Sequence, residues 1–425
     1  MIGLRRLRLG YNQSRRSVLS PLASTLRVSA TTSTMSFNSH RNVSVAVVGV
    51  GLVGSEFVRQ LRALPSQHPF RLISLSSSKA TVFNPDGIPP SADWRALLRA
   101  SATTATATGT GTGTGDLVNK LTPLVRDDNA VVFVDNTASA SVAELYPALL
   151  RAGVHVVTPN KKAFSGPRTL YDQIVAASRE GRAKFFHEAT VGAGLPVLST
   201  LKDLVATGDK VTRIEGVFSG TLSYIFNEFS TGSADGPSFS TVVRTARDKG
   251  YTEPHPADDL NGADVARKLT ILTRLLSNPN PDHIPQPPLL PDGYASVPTL
   301  SLIPPTLSLS SVPTGDAFLD ALQAHDAHFG ALRAEAARQG QGGRGAVLRY
   351  VGVIDVNPEN GSASVKASLE QYPATHPFAT SLGGSDNIIM FHTERYGARP
   401  LIIQGAGAGA AVTAMGVLSD LLKLA

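Results

Sequence analysis

The sequence predicts an α/β protein in which a doubly wound parallel sheet is followed by a second, α+β domain. Three observations predict this fold class. Short apolar runs alternate with helical stretches through residues 43–186, as buried parallel strands alternate with crossover helices. A glycine-rich loop joins the first apolar run to the first helical stretch. After residue 188 the later strand-like segments lack crossover helices between them, which favours a mixed or antiparallel sheet.

The first domain is predicted from its alternating pattern. Strands are predicted at residues 43–50, 71–75, 130–134, 154–157 and 184–186, and helices at 56–64, 142–152 and 169–180. The Ser/Thr/Ala/Gly run at 101–115 has low complexity and is predicted to be a mobile insertion.

The second domain combines helices with later strands. Helices are predicted at 196–206, 221–229, 239–249 and 263–277, and strands at 211–218, 346–356, 364–371 and 387–396. The proline-rich stretch at 278–314 indicates a surface loop. A terminal strand at 401–403, a glycine-rich turn at 405–409 and an apolar helix are expected to return to the first domain.

Composition excludes several classes of protein. No apolar run approaches the roughly 18 residues of a membrane span. Cysteine is absent, which rules out disulfides, thiolate metal sites and enzymes that form a thioester on Cys. The net charge is +6, but residues 1–41 hold seven arginines and no acid, one more than the whole net charge, so the rest carries −1. The body of the protein is therefore not a polyanion binder, and no nucleic-acid partner is expected.

The N-terminal arm at residues 1–40 has two interpretations. It is rich in Arg, Ser and Thr and free of acid, which is typical of a mitochondrial transit peptide. Alternatively it is an upstream extension of a body that begins near Met35, which gives a cytoplasmic protein.

The glycine loop predicts a dinucleotide site. Gly49-Val-Gly-Leu-Val-Gly54 follows a strand and precedes a helix, the context in which this pattern indicates a Rossmann-type domain. Gly49 permits the tight turn, Gly51 admits the pyrophosphate, and Gly54 allows close packing. Amides at the helix start, including those of Leu52 and Val53, are donors for the phosphates.

The second predicted strand ends without the usual acid. Leu75 is followed by Ser76, Ser77, Ser78 and Lys79, so no carboxylate accepts a hydrogen bond from a ribose 2′-hydroxyl or repels a 2′-phosphate. Hydroxyls and Lys79 suit a phosphate, which favours NADP(H) with NAD(H) tolerated. The alternative is a polar loop without a ligand.

A helix beyond residue 262 carries the most informative side chains. Asp264 and Lys268 are one turn apart, beside the apolar stripe of Val265, Leu269, Leu272 and Leu276. Three carboxylates precede them, those of Glu253, Asp258 and Asp259. A Lys at the margin of a buried face among carboxylates is a candidate general acid; the alternative is an ordinary ion pair one turn apart.

The chain at this point resembles homoserine dehydrogenase, most closely the monofunctional fungal kind. The family signature is matched by Ala246, Gly250, Tyr251, Thr252, Pro256, Asp259, Leu260, Gly262, Asp264 and Lys268. His255 departs from it. Further similar segments are residues 134–137, 158–162, 187–194, 219–226 and 405–409, so the resemblance covers about residues 42–425.

The resemblance implies NAD(P)-dependent interconversion of L-homoserine and L-aspartate 4-semialdehyde, in threonine and methionine biosynthesis. Lys268 matches the proton donor. Lys161 matches a second Lys that orients the reacting oxygen and contacts the cofactor, and Lys162 is the runner-up. The matched substrate-binding residues are Glu253, Asp264, Asp259, Gly220 and Thr221. The matched cofactor-binding residues are Gly49, Gly51, Leu52, Val53, Gly54, Thr137, Lys161, Gly250 and Gly409.

Some of these positions have structural alternatives. Thr137 is also suited to capping a helix, and Gly409 to close packing. Glu188, Val191, Ala193 and Leu195 resemble the family's site for a sodium ion, where a carboxylate and three carbonyls are ligands. The alternative there is a buried Glu that caps amides.

Composition and the strand and helix pattern divide the chain into three parts, and the resemblance implies a homodimer through the sheet of the second domain. The basic arm is 1–40, the NAD(P)-binding domain is 41–187 plus 397–425, and the substrate-binding and dimerisation domain is 188–396. Two other functions are disfavoured by the sequence. A catalytically idle NAD(P)-binding sensor would have lost Lys268 or Asp264, and the phosphorylating semialdehyde dehydrogenase would need a Cys.

Overall fold

The computed structural model describes residues 42–108, 115–276, 290–339, 345–357, 359 and 362–425. The basic arm predicted at 1–40 lies outside the described residues. So do residues 109–114 of the predicted insertion and 278–289 of the proline-rich loop.

The first domain is built on a six-stranded sheet. Its strands are β1 (Asn42–Val48), β2 (Phe70–Ser76), β3 (Thr81–Phe83), β4 (Asn129–Asp135), β5 (His155–Val157) and β6 (Phe185–Phe186). Its helices are α1 (Leu52–Arg62), α2 (Trp94–Thr108), α3 (Gly115–Leu121), α4 (Ala140–Ala143), α5 (Tyr146–Arg151), α6 (Lys162–Ser165) and α7 (Arg168–Glu180).

The strand order is β3-β2-β1-β4-β5-β6, and every pairing is parallel except that of β2 with β3. This is the doubly wound order, in which the direction of winding reverses between β1 and β4. Ligands of such sheets bind where strands end at that reversal. The structure confirms the predicted Rossmann-type domain, and the glycine loop lies at the reversal.

The second domain contains a five-stranded sheet. Its strands are β7 (Val211–Val217), β8 (Val347–Val356), β9 (Ala363–Tyr372), β10 (Asp386–Thr393) and β11 (Leu401–Ala406). The helices from residue 197 onward are α8 (Val197–Ala206), α9 (Gly220–Phe229), α10 (Phe239–Asp248), α11 (Ala257–Leu260), α12 (Ala263–Leu276), α13 (Gly315–Leu322), α14 (Asp326–Arg338), α15 (Pro377–Thr380) and α16 (Ala410–Leu422).

This second sheet is antiparallel throughout, in the order β11-β10-β7-β8-β9. Helix α12 packs closely on it, because β8 carries Gly352 beneath the helix. A Cβ at Gly352 would lie 2.8 Å from the side chain of Leu269, nearer than real contacts allow. The glycine thus seats α12, with Asp264 and Lys268, directly on a buried strand.

The terminal segment is a correction to the sequence analysis. Its strand was expected to return to the first domain with the following helix. Strand β11 instead pairs with β10 in the second sheet, while α16 packs against α1 of the first domain. The glycine-rich turn between β11 and α16 therefore passes from one domain to the other.

Two local predictions also differ from the structure, and some of its elements were not predicted. Residues 101–108 of the predicted insertion continue the helix α2. The helix predicted at 142–152 is broken into α4 and α5, and Pro147 stands in the first turn of the second piece. Helices α13 and α14 and strand β3 were not predicted. Among the described residues, no helix is both long and apolar enough to span a bilayer.

Candidate active site

The glycine loop has the backbone that a dinucleotide requires. Gly49 has a φ of +85°, which favours glycine. A Cβ at Gly54 would lie 2.0 Å from the Gly49 carbonyl oxygen, so only glycine fits there. A Cβ at Gly51 would meet nothing within 4 Å, which leaves its backbone open to a phosphate. Leu52, the first residue of α1, is 85% exposed, so the helix start is accessible.

The turn after β2 uses part of the predicted phosphate site for itself. The Ser77 hydroxyl accepts hydrogen bonds from the amides of Lys79 and Ala80. The Ser76 hydroxyl is buried and accepts a bond from Thr81. Ser78 and Lys79 remain exposed at the surface. Ser77 is exposed too, but its hydroxyl is engaged by the turn, so Ser78 and Lys79 are the members of the predicted group left for a 2′-phosphate.

Thr137 lies directly against the glycine loop. Its methyl carbon would be 2.7 Å from a Cβ at Gly49. The cap of α4 is Ser139, whose hydroxyl accepts from the Val142 amide, whereas the Thr137 hydroxyl accepts from the Ser139 amide. The structure therefore places Thr137 beside the glycine loop, and the predicted capping role belongs to Ser139.

A buried carboxylate that sequence reasoning missed joins this loop to the next one. Asp135, at the end of β4, accepts hydrogen bonds from the Thr137 amide at 2.7 Å, the Asn160 amide group at 2.9 Å and the Tyr146 hydroxyl at 2.5 Å. Burial raises the pKa of Asp135, and these hydrogen bonds oppose the rise. The sequence signal was the position of Asp135 directly after a predicted strand, inside the similar segment at 134–137.

Lys161 follows this network in the chain. The Asn160 side chain accepts a hydrogen bond from the Lys162 amide, which fixes the turn into α6. The Lys161 ammonium lies 3.4 Å from Asp264 Oδ1, and its side chain is 32% exposed. Lys162 is exposed. The structure thus brings Lys161, rather than the runner-up Lys162, to the helix α12.

Helix α12 begins at a well-defined turn. Gly262 has a φ of +75°, and the Asn261 side chain accepts a hydrogen bond from the Ala263 amide. These features start the helix at Ala263 and direct Asp264 and Lys268 towards the end of β7.

Lys268 is almost fully buried, with 6% of its surface exposed. Its ammonium lies 2.7 Å from Asp264 Oδ2 and donates a hydrogen bond of 2.6 Å to the carbonyl oxygen of Phe218. The same carbonyl accepts a bond from the Asn387 side chain at 3.0 Å. Phe218 was not predicted as a site residue, because a backbone acceptor leaves no signal in a sequence, and Asn387 was predicted only as part of a strand.

The electrostatics of this group favour proton transfer. Burial lowers the pKa of Lys268, Asp264 offsets part of the effect, and Lys161 adds to the lowering. Burial acts to raise the pKa of Asp264, but the ammonium groups of Lys268 and Lys161 outweigh it and hold that pKa below its usual value. An ammonium with a lowered pKa releases its proton more readily at neutral pH.

The strand-to-helix turn after β7 contributes backbone donors. Ser219 caps α9 by accepting from the Leu222 amide, and α9 begins at Gly220. The Thr221 hydroxyl donates a 2.6 Å hydrogen bond to the carbonyl of Tyr251, just after Gly250, whose φ is +72°. The start of α9 therefore lies beside the segment that contains Gly250 and Tyr251.

The carboxylate of Asp259 binds the backbone beside a second predicted carboxylate, Glu253. Asp259 Oδ2 accepts a 2.8 Å hydrogen bond from the amide of Glu253. Burial raises the pKa of Asp259 to about 6, against the effect of that bond. The Glu253 side chain is exposed, as is Asp258.

The loop predicted to bind a cation is occupied by hydrogen bonds. Both oxygens of the buried Glu188 carboxylate accept amide bonds from the start of α8, from Leu198 at 2.7 Å and Ser199 at 2.9 Å. The Lys423 ammonium lies 3.9 Å from the same carboxylate. Ala193 has a φ of +54°, next to Gly192 at +76°, so the loop makes a sharp left-handed turn. The capping alternative is thus present, and each oxygen retains a lone pair.

The turn before α16 brings the C-terminal segment to the nucleotide loop. Gly409 has a φ of +117° and precedes Ala410, the first residue of α16. A groove of about 700 Å³ is lined by residues from the starts of α1 and α16, among them Gly51, Leu52 and Ala410. The groove therefore joins Gly51 of the nucleotide loop to the start of α16.

Comparisons with known proteins find matching family models and relatives that cover most of this chain. A family model described as homoserine dehydrogenase matches residues 196–422, and one described as homoserine dehydrogenase, NAD binding domain, matches residues 49–188. The homoserine dehydrogenase of Saccharomyces cerevisiae is 43% identical over 385 residues, covering 90% of this chain and 98% of that protein.

Solved structures are similar as well. A Candida auris protein of unknown function is 39% identical with a TM-score of 0.75, covering 90% of this chain and 98% of that one. A hyperthermophilic archaeal homoserine dehydrogenase in complex with NADPH is 20% identical with a TM-score of 0.59, covering 90% and 97%. At that identity the second likeness concerns the fold alone.

Proposed function

The chain belongs to the homoserine dehydrogenase family, and we propose that Lys268 is the proton donor of its active site. The protein is an NAD(P)-dependent oxidoreductase that interconverts L-aspartate 4-semialdehyde and L-homoserine. In the reducing direction the nicotinamide supplies a hydride to the aldehyde carbon, and the aldehyde oxygen then needs a proton. The idle-sensor alternative has no support among these relatives.

One observation carries the assignment of Lys268. A buried ammonium is held by one carboxylate and one carbonyl, with its pKa lowered by burial. An ordinary exposed ion pair one turn apart contributes only about 0.3–0.5 kcal/mol and needs no burial. Burial of an ammonium is costly, which fits a group held ready for chemistry better than a surface ion pair.

Lys161 takes the second role. Its ammonium shares the Asp264 carboxylate with Lys268 and is more exposed, so it stands on the open side of the pair. We assign it the task of orienting the reacting oxygen and stabilising the charge that develops there. Lys268 then donates its proton to that oxygen, and its positive charge is lost as the hydroxyl forms.

The substrate's amino group needs negative charge. Asp264, Glu253 and Asp259 are the carboxylates assigned to it, since the exposed Glu253 and half-exposed Asp264 side chains remain accessible. Asp259 acts by holding the Glu253 backbone. Amides at Gly220 and Thr221, at the start of α9, are assigned to the rest of the substrate.

The cofactor is assigned to the groove shared by α1 and α16. The open face of Gly51 and the free start of α1 fit a pyrophosphate, with Leu52, Val53 and Gly54 completing the turn. Thr137, Gly250 and Gly409 remain proposed contacts. NADP(H) is favoured over NAD(H), because Ser78 and Lys79 are exposed at the end of β2 and no acid stands there.

A sodium ion at Glu188, Val191, Ala193 and Leu195 remains a proposal. The donor set is one carboxylate and three carbonyls, all hard oxygen ligands. A cation would share the Glu188 oxygens with two amides and would lie near the Lys423 ammonium. Activity measured in sodium, potassium and choline salts at constant ionic strength tests it; equal rates in all three would remove the cation from the account.

The remaining assignments follow the family. We propose a homodimer formed through the second domain's sheet, a role in threonine, methionine and isoleucine biosynthesis, and no nucleic-acid partner. We propose a cytoplasmic protein, or a mitochondrial one if the arm at 1–40 is a transit peptide. The domain boundary near 187 remains proposed, and the one expected near 397 moves to the turn after β11, because β11 pairs in the second sheet.

The test is a spectrophotometric assay of NADPH and NADH oxidation with L-aspartate 4-semialdehyde. It is run on the wild type and on Lys161→Ala and Lys268→Ala. Lys210→Ala, which removes an exposed lysine paired with Glu394, is the matched control. Loss of turnover in both site variants but not in the control supports the assigned roles.

A further inference from the structure

Arg274, near the end of α12, is a buried cation that the mechanism above does not use. It is 7% exposed. Its guanidinium donates one hydrogen bond to the carbonyl of Phe164 at 2.7 Å and another to the carbonyl of Gly166 at 2.6 Å. Burial lowers its pKa to about 10, so it stays charged at neutral pH.

The two carbonyls belong to the turn that carries Lys161. Helix α6 begins immediately after Lys161, includes Phe164, and ends just before Gly166. The same helix that carries Arg274 also carries Asp264, to which the Lys161 ammonium is bound at 3.4 Å. Helix α12 therefore holds this turn of the first domain at two points, ten residues or about 15 Å apart along its axis.

A neighbouring segment closes around the same turn. A Cβ at Gly293 would lie 2.2 Å from the Gly166 carbonyl oxygen, so the backbones are in close contact. The Arg168 amide donates to the carbonyl of Pro291. Arg267 of α12 stacks on the ring of Tyr294 at 3.6 Å. The turn after Lys161 is thus enclosed between α12 and residues 290–294.

Stability alone is a weak reason for such an arginine. Taking a guanidinium out of water is costly, and a buried charge is often no more stabilising than an apolar residue of similar size. What a guanidinium adds is a rigid, planar fork that fixes two acceptors at once. Here those acceptors are the two ends of the α6 turn.

We propose that Arg274 is a positioning residue for the reaction: by binding the Phe164 and Gly166 carbonyls it holds Lys161 beside Asp264 and Lys268. The proposal rests on the roles assigned to Lys161 and Lys268. It places the alignment of the two lysines, which come from different domains, under the control of one side chain that touches neither the substrate nor the cofactor.

The test uses Arg274→Met and the more conservative Arg274→Lys. A lysine keeps the charge but lacks the planar fork that binds both carbonyls. We expect kcat to fall about 10- to 100-fold in Arg274→Met, since small misplacements of reacting groups have effects of this size. In Arg274→Lys we expect kcat to fall by a smaller factor. The dissociation constant for NADPH, followed by fluorescence, changes much less than kcat, because Arg274 does not contact the glycine loop and only the proposed Lys161 contact to the cofactor is affected.

The pH profile gives a readout that a purely structural role would not move. Asp264, Lys161 and Asp259 are the charged groups that act on Lys268, and Lys161 lowers its pKa. If Arg274→Met releases Lys161 from the site, the pKa of Lys268 rises and the basic limb of kcat moves to higher pH. Loss of stability alone leaves that limb in place.

Arg333→Met is the matched control. Arg333 is 8% exposed and likewise donates only to carbonyls, those of Ala234, Pro237 and Gly236 among them, in the loop after α9. It should lose stability and keep kcat per folded molecule. The proposal is overturned if Arg274→Met and Arg333→Met lose the same share of kcat per folded molecule. It is also overturned if Arg274→Met and Arg274→Lys both keep the wild-type kcat and pH profile.

Lys161→Ala in the same assay separates the positioning role of Arg274 from the catalytic role of Lys161. If Lys161→Ala loses turnover and Arg274→Met does not, the positioning role fails and the assigned function stands. If Lys161→Ala keeps full turnover, the role of Lys161 fails first, and the positioning role fails with it.

Discussion

Lys161 and Lys268 come from different domains and bind different oxygens of one carboxylate, that of Asp264, at 3.4 Å and 2.7 Å. Two ammonium groups at one carboxylate leave a net positive charge in a half-closed site. An oxygen that gains negative charge during hydride transfer is stabilised by such an arrangement. The unequal exposure of the two lysines fits their proposed roles, in which the more exposed Lys161 orients the oxygen and the buried Lys268 donates the proton.

Asp264→Asn tests the electrostatics of the pair. The Asp264 carboxylate raises the pKa of Lys268 against the effect of burial. Removing its charge lowers that pKa further, so less of the lysine is protonated at neutral pH. The basic limb of kcat should move to lower pH, the opposite direction from Arg274→Met. Asp172→Asn, which breaks an exposed ion pair with Arg168, is the control. A limb that stays in place or moves to higher pH contradicts the assignment.

The raised pKa of Asp259 predicts that kcat/KM declines at acidic pH. Burial raises its pKa to about 6, so its negative charge is present above that pH and is lost below it. Because the substrate carries an ammonium group, kcat/KM should decline as the pH falls through about 6. Asp259→Asn should raise KM and remove this limb, while Asp258→Asn, its exposed neighbour, should retain it. An unchanged limb in Asp259→Asn would assign it to another group.

Lys79→Ala tests the preference for a 2′-phosphate. A hydrogen bond to a charged group contributes about 1.5–3 kcal/mol, so the KM for NADPH should rise about tenfold or more. The KM for NADH should change little, because that cofactor has no 2′-phosphate. Arg71→Ala, which removes a cation from the same strand, is the control. Equal changes for both cofactors would show that the turn after β2 does not read the phosphate.

Asp135→Asn tests the network between the two loops. The carboxylate accepts from three donors, and an asparagine would set its own NH₂ against one of them. The expected loss is about 1–3 kcal/mol of the free energy of unfolding, with a weaker affinity for the cofactor through Thr137. Urea unfolding and NADPH titration measure the two effects. Tyr146→Phe removes one donor only, so it should lose less; a larger loss in Tyr146→Phe would contradict this ranking.

The strands of the first domain could be predicted from the sequence because parallel strands buried on both faces are continuously apolar. Strand β3 could not, since it has three residues at the edge of the sheet. Helix α14 was missed because its buried face includes Arg333 between Phe329 and Ala336. The sheet that holds β11 depends on its pairing with β10, which no local pattern reveals.

The site likewise has a part that a local pattern predicts and a part that depends on tertiary packing. Asp264 and Lys268 lie on one helix, so their spacing predicts the pair. The contact between Lys161 and Asp264 joins residues more than a hundred positions apart and depends on how the domains pack. Arg274 could not be predicted as a functional residue, because basic residues are common in the last turn of a helix. Phe218 acts through its carbonyl oxygen, which every residue type has.

The most direct test of the central claim is the turnover of Lys268→Ala with saturating NADPH and L-aspartate 4-semialdehyde. Loss of a positioned proton donor predicts a kcat at least ~100-fold below the wild type, with the affinity for NADPH retained. A Lys268→Ala enzyme that binds NADPH normally and turns over at nearly the wild-type rate would contradict the account.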